Sequence, residues 1–101
     1  MIHHIVMLKL KDFAEGKSGK ENAELIKNKL EALKTKIPEI KRIEVGLNMD
    51  SSEYSNYDLV LDTYFENYDE LKIYQIHPEH KKVAEFVAKV RDLRAAVDYE
   101  I

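Results

Sequence analysis

Apolar and polar residues alternate along this chain with two different periods, and the order of those periods predicts the fold. Stretches in which every second residue is apolar predict strands, and stretches with apolar residues three and four positions apart predict helices. The resulting order is β-α-β-β-α-β, with the second helical region divided in two. We predict strands at residues 2–10, 40–49, 57–65 and 95–101, and helices at residues 19–36, 68–76 and 78–93.

The helix boundaries follow from polar caps and from the two prolines. Ser18 and Asn67 each precede a helical pattern, and their short polar side chains are predicted to accept hydrogen bonds from the free N–H groups there. Pro38 ends the first helix, since the residue before a proline avoids helical backbone. Pro78 is favourable at the start of a helix, where its missing N–H group would have had no partner. His77 and Pro78 therefore mark the break between the two later helices.

The first predicted strand is apolar on both of its faces. Val6 and Leu8 lie on one face with His4, whereas Ile5 and Met7 lie on the other. Such a strand is covered on both sides, yet helices on one face of an antiparallel sheet leave the other face bare. We expect a second copy of the chain to cover it through a two-fold interface. The predicted fold class is α+β, a single ferredoxin-like domain over residues 1–101 with an antiparallel sheet and helices on one face, forming a homodimer through the open sheet face.

The composition and charge of the chain disfavour some classes of binding partner. Hydrophobic residues make up 45% and charged residues 35% of the 101 residues, which is typical of a globular domain. The net charge of −3 disfavours nucleic acid as a partner. The chain has no cysteine, which fits a reducing, cytoplasmic location. No stretch approaches the roughly 18 apolar residues that a membrane span needs, so we expect no membrane partner.

His80 is the most informative position for chemistry. With Val83, Val87 and Val90 it forms one stripe of the last helix, which predicts that the imidazole lies beneath the sheet. A titratable ring in that space indicates a functional site. The alternative is a partly exposed histidine whose ring bonds to a neighbouring backbone group.

Tyr74 is the second residue with a predicted role. It shares a helix face with Leu71, and a turn at His77 allows its phenol to meet the His80 ring. A phenol and an imidazole in an apolar pocket can hold or transfer a proton of an enolic substrate. The alternative is that Tyr74 packs in the core and bonds its hydroxyl to any available acceptor.

From the remaining polar residues we predict no cofactor and no metal, and the alternative is a metal held by the pair His77 and His80. His3 and His4 are adjacent on a strand and so point to opposite faces, and His77 is best interpreted as a capping or turn residue. No third and fourth ligand stand at metal spacing, and no glycine-rich phosphate loop is present. Asp58 and Asp62 share one strand face and are expected at solvated edge positions.

Four segments resemble one known family over essentially the whole chain. They are the opening HHIVMLKLKD, IPEI before the second strand, the strand YDLVLDTYF, and above all YQIHPEH at residues 74–80. These are similar to segments of the stress-responsive A/B barrel family. That resemblance implies a homodimeric α+β barrel in which two ferredoxin-like sheets face each other.

The resemblance also implies roles for individual residues. A plant polyketide cyclase of this family acts without a cofactor, and its catalytic residues match Tyr74 and His80, with a strand histidine matching His4. His80 would be the general base, and Tyr74 would hold the substrate carbonyl. The ligand-binding residues are then expected to be His4, His77, Leu71 and Val83.

Three functions stay open at this point. The first is a cofactor-free enzyme acting on a small hydrophobic or aromatic molecule, with a cofactor-independent oxygenase as a minor variant. The second is a non-catalytic module that binds such a molecule. The third is a structural or interaction dimer whose pocket is filled by its own side chains.

Overall fold

The computed structural model describes all 101 residues. Its strands are β1 (Ile2–Leu10), β2 (Phe13–Ala14), β3 (Lys17–Ser18), β4 (Arg42–Leu47), β5 (Leu59–Phe65) and β6 (Arg91–Glu100). Its helices are α1 (Gly19–Glu31), α2 (Tyr68–Ile76) and α3 (Pro78–Val90), and a 3-10 turn (Ala32–Thr35) follows α1. No helix is long and apolar enough to cross a membrane.

The main sheet has the strand order β4-β5-β1-β6, and each neighbouring pair is antiparallel. This order confirms the ferredoxin-like prediction. Strand β1 lies inside the sheet, where His4 stands opposite Thr63 of β5 and Asp98 of β6. The helices cover the sheet face that carries His4, and the other face is open.

The predicted caps are present. Ser18 accepts from the N–H of Glu21 while the Glu21 carboxylate accepts from the N–H of Ser18, so the two residues form a reciprocal capping box. Asn67 caps α2 in the same position. His77 ends α2 and caps α3, since its Nδ1 accepts from the N–H of Glu79. Each of these caps bonds to a backbone N–H only two or three residues later, so it could be predicted from the sequence alone.

Several boundaries differ from the prediction. Helix α3 ends at Val90 rather than Leu93, because Arg91 takes extended backbone and pairs with Leu10 of β1. At residues 91–93, backbone pairing with β1 thus prevails over the helical pattern of apolar residues. Strand β4 is shorter than predicted, since the N–H of Ile40 donates to Ile37 in a turn rather than to a strand.

Two further differences lie at the ends of α1. The predicted loop before α1 contains the small hairpin β2–β3, which turns at Glu15 and Gly16 with positive φ angles of 52° and 75°. The α-helical part of α1 ends at Glu31, and the 3-10 turn continues the chain in place of the predicted last turn of helix.

The buried side chains lie between the helices and the covered sheet face. Eighteen hydrophobic residues form one cluster there, and Ile26, Phe65 and Val90 are fully buried within it. The open face has apolar side chains at the surface, including Met7 at 40% and Val97 at 53% exposure. The open face therefore leaves apolar side chains of β1 and β6 exposed.

Candidate functional site

A cavity of about 240 Å³ lies between the covered sheet face and α3. Strands β1, β5 and β6 form its floor, and residues of α1, α2 and α3 close it from the other side. Eight of its thirteen lining residues are hydrophobic. The lining residues are His4, Val6, Leu8, Leu30, Leu61, Gln75, His80, Val83, Ala84, Val87, Ala88, Arg91 and Arg94.

His80 lines this cavity as a half-buried ring. Its Nδ1 lies 3.2 Å from the backbone oxygen of Gln75. A carbonyl oxygen only accepts, so Nδ1–H donates to it and Nε2 is the basic nitrogen of the neutral ring. Burial lowers the pKa of His80, and the charges of His4 and Arg94 lower it further against the bond to Gln75. The imidazole is therefore neutral at neutral pH, as a general base must be.

Tyr74 is fully buried behind His80, with the two ring centroids 4.3 Å apart. It also packs against Phe65 at 5.0 Å and His4 at 6.2 Å. Its hydroxyl has no hydrogen-bond partner. Burial raises the pKa of the phenol, against a smaller lowering effect of Arg94, so the hydroxyl stays protonated and able to donate. The turn at His77 does bring Tyr74 and His80 together, but Tyr74 does not line the cavity wall.

His4 contributes a second imidazole to the cavity. It is almost fully buried on β1, and its Nδ1 bonds to the carboxylate of Asp98, its direct partner on β6. Because the carboxylate accepts, this bond fixes a proton on Nδ1 and orients the ring. Asp98 was not among the residues predicted from the sequence. The only signal for it would have been the pairing register of β1 and β6, which the alternation of apolar residues does not provide.

Of the other three predicted ligand-binding residues, the fold places one in the cavity wall and two away from it. Val83 lines the cavity. Leu71 is buried in the core and His77 caps α3, and neither reaches the cavity wall. The site that the structure assembles is thus His80, His4 and Val83, with Tyr74 directly behind His80.

The family model of the stress responsive A/B barrel domain matches residues 2–101. The chain belongs to this family. No curated protein sequence matches it significantly.

Solved structures of other proteins share the fold of this A/B barrel domain. A dimeric protein of unknown function from Bacteroides fragilis is 36% identical, with a TM-score of 0.84 over 99% of this chain and 95% of that one. A dimeric ferredoxin-like protein from Thermobifida fusca is 24% identical, with a TM-score of 0.83 over 99% and 90%. The hydroxynitrile lyase of Passiflora edulis is 16% identical, with a TM-score of 0.80 over 99% and 92%, and shares the fold.

A second polar cluster of this A/B barrel domain lies on the open sheet face. His3 Nε2 is 2.5 Å from a carboxylate oxygen of Asp62, its Nδ1 is 2.6 Å from the Tyr99 hydroxyl, and its ring stacks on Tyr64. Asp62 was expected at a solvated edge, but β5 is an interior strand, and His3 reaches Asp62 diagonally from β1, where the direct partner of Asp62 is Ile5. Asp58 is engaged too, since it accepts from the N–H of Leu10 at 2.6 Å.

The four histidines of this A/B barrel domain are thus divided between separate places. His3 and His4 lie on opposite faces of the sheet, His77 is a helix cap, and His80 lines the cavity. No group of three or more histidine, aspartate or glutamate side chains is arranged to hold a metal ion.

Proposed function

We propose that this protein binds a small hydrophobic or aromatic molecule in the cavity and that His80 removes a proton from it without a cofactor. The observation that carries the proposal is the His80 imidazole in the wall of a mostly apolar cavity, with Nδ1 bonded to Gln75 and Nε2 unpaired. Burial lowers the pKa of this ring, which favours the neutral, basic form. Low polarity around a base strengthens its interaction with charge that develops during proton transfer.

Each nearby polar group has a role in this proposal. Nε2 of His80 accepts a proton from a carbon next to a substrate carbonyl, and the imidazolium that forms donates through Nδ1–H to Gln75. The Tyr74 hydroxyl, which is protonated and lacks a protein partner, donates to the carbonyl oxygen on which negative charge develops. The His80 ring packs against Tyr74 and lies between the phenol and the cavity. For this hydrogen bond to form, the ring must leave room for the substrate oxygen to reach the hydroxyl. His4, held by Asp98, supplies a second N–H or basic nitrogen.

The fold is compatible with catalysis by a protein of this size. The Passiflora edulis neighbour is an enzyme, a hydroxynitrile lyase. At 16% identity that likeness supports the architecture as a host for chemistry and does not carry the reaction over.

The test uses phenylacetone, a ketone with acidic α-hydrogens and a size near that of the cavity. In D₂O, exchange of these hydrogens is followed by proton NMR with and without protein. We expect the wild-type protein to accelerate exchange and His80→Gln to lose on the order of a hundredfold of that acceleration. His77→Asn is the matched control, because it changes a histidine three positions away and keeps a good helix cap.

The outcomes are distinct. Acceleration that persists in His80→Gln would remove His80 from the role of base. Loss in both variants would indicate damage to α3 rather than loss of a base, and circular dichroism of the variants checks for that damage.

A second function, a non-catalytic carrier, is favoured by one observation. The Tyr74 hydroxyl does not line the cavity, so a bound molecule contacts His80 before it contacts the phenol. Saturable binding of phenylacetone without hydrogen exchange would support the carrier. Absence of both would support the remaining alternative, a purely structural dimer.

We also propose that the chain forms a homodimer through the open sheet face. The dimeric neighbours from Bacteroides fragilis and Thermobifida fusca support it, as do the exposed apolar side chains Met7, Leu93 and Val97. Met7→Lys is expected to yield monomers in light scattering. Met49→Lys makes the same change at a more exposed methionine beyond β4, where it is expected to leave the dimer intact.

A further inference from the structure

The cavity wall carries positive charge without a matching negative charge. Arg91 and Arg94 both line it, and none of its thirteen lining residues is acidic. Neither arginine belongs to any ion pair of the structure. Arg91 is half-buried and Arg94 is exposed, so the two guanidinium groups lie towards the solvent end of a mostly apolar space.

Arg94 forms no ion pair with Asp92, two residues before it on β6, or with any other acidic residue. It stands opposite Leu8 on the covered face, and the first acidic residue beyond it on that face is Asp98. Four residues of strand separate the two backbones by about 13 Å. The Asp98 carboxylate is already bonded to His4. The charge of Arg94 nevertheless acts on the site, since it lowers the pKa of both Tyr74 and His80.

We propose that the occupant of the cavity is a small amphipathic carboxylate, with its charged end on Arg94 and Arg91 and its apolar body against Val6, Val83 and Val87. A guanidinium presents its N–H donors in a planar fork that matches the two oxygens of a carboxylate. The apolar walls exclude water from the rest of the ligand, and two unpaired arginines favour an anion over a neutral molecule. This inference rests on the proposed function, because it names the ligand class of the same cavity.

The cavity volume limits the size of that carboxylate. An engineered cavity of about 150 Å³ holds benzene. The cavity here, at about 240 Å³, holds one aromatic ring with a short side chain. Arylalkanoic acids and alkanoic acids of medium chain length fit both the size and the charge.

The test compares two probes of nearly equal shape, 3-phenylpropanoate and its neutral amide, 3-phenylpropanamide. Binding is measured by amide chemical-shift titration at about pH 8, where the acid is ionised and ordinary histidines are neutral. We expect the wild-type protein to prefer the carboxylate by roughly tenfold. The preference should vanish in Arg91→Gln/Arg94→Gln and persist in Arg42→Gln, a matched change on the opposite sheet face that does not line the cavity.

Each result decides a separate point. Equal affinity of the wild-type protein for the two probes would overturn the carboxylate inference and leave a small-molecule function standing. Failure of both probes to bind at millimolar concentration would overturn the function as well. A preference that survives in the double variant would show that these arginines do not hold the anion. If the double variant fails to fold, Arg94→Lys replaces it in the test. Lysine keeps the charge, so this variant should retain part of the preference for the carboxylate over the amide.

Discussion

The Tyr74→Phe variant is expected to be more stable than the wild-type protein. The Tyr74 hydroxyl is fully buried and has no hydrogen-bond partner. Burying a hydroxyl in this way costs about 1–3 kcal/mol. Phenylalanine keeps the ring against Phe65 and His80 and removes only the oxygen, at the expense of a small void. The net gain in free energy of unfolding is expected to be on the order of 1 kcal/mol, which raises the melting temperature by roughly 4–8 °C in a domain of this size.

The chain offers a control that makes the same chemical change with the opposite expected sign. The Tyr99 hydroxyl lies 2.6 Å from Nδ1 of His3. Tyr99→Phe removes a hydrogen bond and should lower the free energy of unfolding by about 1 kcal/mol. Urea titrations of the three proteins at one fixed protein concentration measure both effects, because the stability of a dimer depends on concentration.

A Tyr74→Phe variant that is less stable than the wild-type protein by about 1 kcal/mol or more would refute the reasoning. It would mean that the hydroxyl has a partner in the folded state, such as a trapped water molecule. The hydroxyl would then not be free for a substrate oxygen, and the role proposed for Tyr74 would fail with it. A stabilised variant, in contrast, is the result expected of a hydroxyl that is buried without a partner.

Three further predictions concern the helices and the two cavity histidines. Burial lowers the pKa of His80 below the ordinary value of about 6.5, so the unfolded chain binds more protons in this range. The free energy of unfolding is therefore expected to fall as the pH drops from about 6.5 towards the folded pKa, and urea titrations of His80→Gln should lack this part of the decline. Ser18→Ala should destabilise the protein by about 1 kcal/mol through loss of the capping box, whereas Ser51→Ala in an exposed loop should stay within about 0.5 kcal/mol of the wild-type protein. Asp98→Ala should reduce the fraction of His4 protonated at Nδ1, as measured by long-range nitrogen NMR, and an unchanged tautomer would show that Asp98 does not orient the ring.

Features that depend on neighbours in the chain could be predicted from the sequence. The capping box of Ser18 needs only a carboxylate three residues later, and the break at His77 needs only a following proline. The stripe of His80 and Val83 on α3 follows from helical periodicity, and the placement of His3 and His4 on opposite faces follows from the strand period. The resemblance of residues 74–80 added catalytic roles for Tyr74 and His80 to what these local patterns indicate.

Features that depend on distant partners needed the tertiary structure. Asp98 meets His4 across 94 positions of sequence because the register places them directly opposite each other, and Asp62 meets His3 across 59 positions as a diagonal neighbour on the adjacent strand. The end of α3 at Val90 was decided in the same way, by pairing of Arg91 with β1. That pairing also brings Arg94 to the mouth of the cavity. Alternation of apolar residues specifies which face a side chain occupies, but only the packing of the whole sheet specifies which residue lies opposite it, and the chemistry of this site depends on those opposite pairs.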